Sequence, residues 1–115
     1  MCRHSQSKQA SKMTTLTNMT IEQLVNANLS EGMRSDAIDA KVYSEVKHQV
    51  RNYLTAANLD WGYCFTLSDV ESIASESAHE VRKELDGIHS PDESLLKMLS
   101  WKVASLRCAT FIHGI

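Results

Sequence analysis

One proline and four glycines are all the strong chain-breakers in 115 residues. A β-sandwich or barrel needs turn residues at short, regular intervals, and this chain does not supply them. Long unbroken stretches with apolar residues every three or four positions predict helices instead. Apolar residues make up 43% of the chain, enough for a packed core and too many for wholesale disorder. The length suits one domain. The expected fold is therefore all-α: a small helical bundle of one short and three longer helices over residues 20–115. Residues 1–19 are Ser/Thr-rich and free of acids, with Arg3, Lys8 and Lys12, and read as a mobile basic tail.

Local signals set the expected boundaries. Thr20 and Gln23 form a capping box that opens a short helix to about Leu29, with Ile21, Leu24, Val25 and Leu29 on one side. Gly32 fits a turn, and Ser35 is a suitable N-cap for a second helix over about 36–57. Its buried stripe is Ile38, Val42, Val46, Val50, Tyr53, Leu54 and Ala57. Gly62 marks a turn in 58–65, where Trp61, Tyr63 and Phe65 are expected to fold back over the helix ends. That stretch is the one candidate strand, too short and alone to build a sheet. Ser68 and Glu71 suggest a second capping box, and Gly87 a C′ glycine. Between them Leu67, Val70, Ala74, Ala78, Val81 and Leu85 form a third stripe. Ser90, Pro91 and Glu93 then read as N-cap, N1 and N3 of a fourth helix.

The fourth helix carries apolar residues on two sides. On a wheel of about 100° per residue, Leu95, Leu96, Leu99, Val103 and Leu106 share one side. Trp101, Ala104, Cys108, Phe111 and Ile112 fall roughly opposite. A helix apolar on opposite sides is either surrounded by its own chain or shared with another chain. The first helix and the aromatic loop are the internal candidates to cover the second seam. Trp and Phe concentrate at interface centres, so the sharper expectation is an interface. On that reading the protein is a small non-catalytic interaction module, a regulator or inhibitor, that self-associates as a homodimer or docks to a larger protein through residues 91–113.

One constellation suggests chemistry. Glu45 and His48, and Glu76 and His79, are two E-x-x-H pairs on two helices, with Glu22 and Glu93 available from the others. That is the ligand set of a di-iron carboxylate bundle enzyme, the alternative reading. The wheel turns both pairs away from the core stripes, whereas such ligands point inward, so no metal and no cofactor is expected. No G-x-S-x-G, P-loop or glycine-rich phosphate turn is present, and no catalytic residue is expected. Cys2, Cys64 and Cys108 form no close-spaced pair, which argues against zinc and against a disulfide framework. Cys108 reads as a small core hydrophobe, and Asp60 and Asp69 disfavour a thiolate at Cys64. His113 reads as a favourable charge at a helix end.

The net charge of −2 projects no basic field toward nucleic acid, and the tail's three cations would bind phosphate only weakly. Residues 60–87 hold seven acids against Arg82 and Lys83. Glu76 and Glu80 form an acidic outer face, ordinarily just solvated. A further alternative makes it the docking surface for a basic partner such as a nucleic-acid-binding protein. No apolar run reaches the roughly 18 residues of a membrane span, and the start lacks an apolar signal region, so a cytoplasmic protein is expected.

Overall fold

The computed structural model describes residues 18–88 and 90–114. These form α1 (Ile21–Asn26), α2 (Glu31–Trp61), α3 (Leu67–Asp86) and α4 (Glu93–His113), with no strand among the described residues. The all-α bundle of one short and three longer helices is as the sequence predicts. The basic tail, apart from its last two residues, lies outside the described residues.

Helix α1 starts where expected. The Thr20 hydroxyl accepts from the Gln23 N–H at 3.1 Å, and the Gln23 side chain accepts from the Thr20 N–H at 2.8 Å. Met19, assigned above to the tail, packs with the buried Leu24 and Ala37, as a hydrophobic staple does. The helix ends at Asn26, short of Leu29. Its last carbonyls are taken by Arg34, whose guanidinium donates to the oxygens of Leu24 (3.1 Å), Ala27 (2.8 Å) and Leu29 (3.3 Å).

Helix α2 is longer than expected at both ends. Ser30, not Ser35, is the N-cap and accepts from the Met33 N–H at 3.2 Å. Gly32 lies inside the first turn rather than in a break, because a capped first turn does not depend on the propensity of each residue in it. The helix stops at the next glycine it meets. Gly62 sits at φ 69°, and an αL-motif bond closes the end, from Gly62 N–H to Asn58 O (2.9 Å), with a second bond from Tyr63 N–H to Ala57 O (3.4 Å).

Helix α3 uses an earlier box than the expected Ser68–Glu71. Thr66 is the N-cap; its hydroxyl accepts from the Asp69 N–H at 3.1 Å and the Asp69 carboxylate accepts from the Thr66 N–H at 2.9 Å. Gly87 ends the helix in a right-handed conformation, so the left-handed C′ role expected of it is not used. In α4 the cap is Asp92, accepting from the Leu95 N–H at 2.7 Å, and Ser90 and Pro91 precede the helix instead of opening it.

Two pairs fix the topology. Lys41, in the first half of α2, meets Glu93 at the start of α4 at 2.9 Å, and the rings of Trp61 and His113 lie 6.1 Å apart at the ends of the two helices. The two helices run parallel. Arg82, late in α3, reaches Asp39, early in α2, so α3 runs antiparallel to both. These three helices pack on one another, and α1 crosses the starts of α2 and α4.

The buried side chains follow rows of i, i+4. In α2 the row is Val42, Val46, Val50, Leu54; in α3 it is Ile73, Ser77, Val81, Leu85; in α4 it is Leu96, Ser100, Ala104, Cys108. Such rows are inclined to the helix axis. The small residues Ala74, Ser77, Ser100 and Ala104 are among the buried positions of α3 and α4. The dimensions, 47 × 41 × 18 Å, describe a slab rather than a rod. The hydroxyls of Ser77 and Ser100 are buried without a hydrogen-bond partner among the described residues, a cost to the core.

Candidate functional site

The inclined core row decides which apolar residues of α4 are left over. A row of i, i+4 steps drifts by about 40° per step, so the buried face turns by about 120° between Leu96 and Cys108. The straight stripe assumed from the sequence holds through Leu95, Leu96, Leu99 and Val103 and fails at Leu106. Ala104 is 1% exposed and Cys108 is fully buried, both covered by the chain's own helices. Neither is available to a partner, which corrects their placement in the second seam. Leu106, assigned above to the core, is 66% exposed.

Of the other seam residues, Trp101 is 62% exposed, Phe111 is 43% exposed, and Ile112 is half-buried against the core. Met98 lies one turn before Trp101 and is also exposed. The single predicted seam is therefore two surfaces. Met98 and Trp101 occupy the outer face of α4. Leu106 and Phe111 occupy the side toward α3, where they line an open groove of about 470 Å³ with Ser72, Ile73, Glu76 and Glu80.

The far end of the slab is aromatic. Tyr63 meets Phe111 edge-on at 6.5 Å between centroids. Tyr63 and Phe65 do pack back on the core as expected, but Trp61 stays exposed and leans on His113. Burial raises the Tyr63 phenol pKa, and the Asp69 carboxylate and then the Cys108 thiol add to it. Burial pushes the Cys108 thiol up to about 11, so it is a neutral core group. Cys64 is exposed, with its sulfur 3.7 Å from the Gly62 carbonyl oxygen.

Glu76 and Glu80 do not form a free acidic face. Arg107 reaches across from α4 and binds both, Nε to Glu80 Oε2 at 3.0 Å and a terminal nitrogen to Glu76 Oε2 at 3.3 Å. The E-x-x-H residues disperse. Glu45 accepts from Gln49, exposed His48 faces Asn52, Glu76 is held by Arg107, and His79 is exposed. Among the described residues no three His, Cys, Asp or Glu side chains gather closely enough to hold a metal ion.

Glu22 and Glu93 do come together, in a role the sequence does not show. The Glu93 carboxylate accepts from the Ile21 N–H at 3.0 Å, and the Glu22 carboxylate accepts from the Glu93 N–H at 2.9 Å. Each helix start is capped by a glutamate from the other, and Lys41 neutralises Glu93. Arg34, Lys41 and Arg107 are likewise missed by sequence reasoning, because their partners are set by packing.

No family model, no curated protein and no solved structure matches this chain. Among the described residues no helix is long and apolar enough to cross a membrane.

Proposed function

We propose that the chain is a small, non-catalytic protein–protein interaction module, a cytoplasmic regulator that associates with a second copy through the outer face of α4. One observation carries the reading: Met98 and Trp101 stay in solvent although the row Leu96, Ser100, Ala104, Cys108 already closes the core. In a symmetric pair each side chain is buried twice. At about 1.5–3 kcal/mol per large apolar side chain, four of them contribute roughly 6–12 kcal/mol. Association itself costs about 4–15 kcal/mol, so the pair is weak and concentration-dependent.

The test is molar mass in solution from about 1 µM to 1 mM, the range in which such a balance shows. The mass should rise from the 12.9 kDa monomer toward twice that value. Trp101→Glu should hold it at the monomer with helical content unchanged, since an unpaired carboxylate is not cheaply desolvated. A wild type that stays monomeric throughout overturns self-association by this face.

A further inference from the structure

We infer that the groove between α3 and α4 is a docking site for a basic amphipathic helix of another protein. This rests on the reading of the chain as an interaction module, but uses a different surface from the Trp101 face. The floor is apolar: Leu106 and Phe111 project from α4 beside Ile73 of α3. The wall is acidic: Glu76 and Glu80 stand on α3, one turn apart.

Arg107 does not cancel that wall. It engages Oε2 of each carboxylate, and Oε1 of each has no hydrogen-bond partner among the described residues. A carboxylate accepts up to about four hydrogen bonds, so both retain acceptor capacity toward a second cation. The guanidinium also holds the two side chains in place, which lowers the cost of ordering them on binding. Two carboxylates against one guanidinium leave the site negative, and next to it the exposed Glu84 and Lys83 of α3 offset each other. Positive charge is the complement that speeds encounter and fixes register.

The length sets the anchors. Ser72 to Glu80 spans about 12 Å of helix, roughly two turns of a partner. An incoming helix therefore presents two or three aliphatic side chains at i, i+3/i+4 and i+7 to Leu106 and Phe111, with lysine or arginine flanking them over Glu76 and Glu80.

The test uses the full chain and two fluorescein-labelled synthetic helices of about four turns, the length at which such peptides begin to hold helix. Both carry leucine at i, i+4 and i+7; one has lysine at the flanking positions and its twin has glutamate. Anisotropy should show saturable binding of the lysine peptide in the micromolar range and at least about tenfold weaker binding of the twin. Leu106→Asp should weaken the lysine peptide by about tenfold or more. Leu106 is exposed, so this variant should keep its fold and melting profile. Equal affinity for both peptides, no binding, or affinity unchanged in Leu106→Asp overturns the inference. So does a fall in molar mass of Leu106→Asp relative to wild type, which assigns the groove to a second copy. A chain that self-associates through Trp101 but ignores the lysine peptide loses this inference alone. One that binds the peptide as a strict monomer loses only the self-association.

Discussion

The two ends of α4 are built from different interactions. At its start, Glu93 and Glu22 cap each other's helices at 3.0 and 2.9 Å respectively, and Lys41 closes the group at 2.9 Å. At its finish, Phe111 meets Tyr63 edge-on, His113 leans on Trp61, and Leu106 stands in solvent. Hydrogen bonds are directional, and those at the start are spent on partners inside the chain. Apolar surface is non-directional and remains attractive until it is covered. The polar end therefore serves to hold the fold, and the exposed Met98, Trp101, Leu106 and Phe111 along the rest of α4 are the surfaces on which the proposed contacts rest.

The sharpest way to break this division is to place one charge on each side of it within α4. Ala104→Glu inserts a carboxylate where the wild-type side chain is 1% exposed. It should cost about 4 kcal/mol or more and unfold the protein, as overpacking and an unpaired buried charge combine. Trp101→Glu, three residues earlier on the exposed face, should cost little. Denaturant midpoints followed by circular dichroism decide it. If Ala104→Glu melts like wild type, the inclined core row is wrong.

Next comes the polar end itself. Glu93→Ala removes the acceptor for the Ile21 N–H and the partner of Lys41 together. A hydrogen bond to a charged group contributes about 1.5–3 kcal/mol, so a loss of about 2 kcal/mol is expected. Protection of the α1 amides from hydrogen exchange should fall most, because α1 is only six residues long and cannot persist alone. Unchanged protection in α1 would show that Arg34 at its other end suffices.

What could be read in advance follows the range of the interactions. Helix number and type came from scarce glycine and proline and from local periodicity; the Thr20 box is entirely local and was legible as it stands. The α3 box is expected two residues late, at Ser68–Glu71; Thr66–Asp69 satisfies the same local pattern and overlaps it by two residues. The α4 seam failed for a geometric reason. The straight stripe is buried through Leu99 and Val103, and beyond them the buried face passes to Ala104 and Cys108 and releases Leu106. The E-x-x-H pairs were placed off the core, and the exposed His48 and His79 agree with that placement. The cross-caps and the Arg107 bridge join residues 27 to 72 positions apart. No local pattern encodes such pairs.

Alkaline pH probes the aromatic end from the inside. The Cys108 thiol titrates at about 11 in the folded state, against an ordinary value of 9.0. Between those values the unfolded chain has lost the proton and the folded chain has not, so folding stability falls as pH rises through that window. Below pH 9 both states hold the proton and the effect vanishes. At 1.36 kcal/mol per unit, the loss is about 2–3 kcal/mol by pH 11. Cys108→Ala should remove that part of the alkaline decline while other groups keep titrating. An identical pH profile for the two proteins would show that water reaches the thiol.

The smallest expected effect lies between the two ends, at the bridge that spans the groove. Glu76→Gln with Glu80→Gln removes both charges held by Arg107. All three side chains are partly solvated, and solvated ion pairs contribute about 0–1 kcal/mol, so stability should drop by no more than about 1 kcal/mol. Glutamine keeps a carbonyl acceptor, and Arg107 can retain weakened hydrogen bonds to it. The charge of the groove changes far more than its stability, because Arg107 then stands unopposed and the wall turns from negative to positive. A double variant that unfolds near the wild-type midpoint yet no longer prefers the lysine peptide over its glutamate twin would separate binding from folding at this site. A loss of several kcal/mol would instead make the Arg107 bridge a structural clamp between α3 and α4, and the groove would belong with the polar end, already committed to the fold.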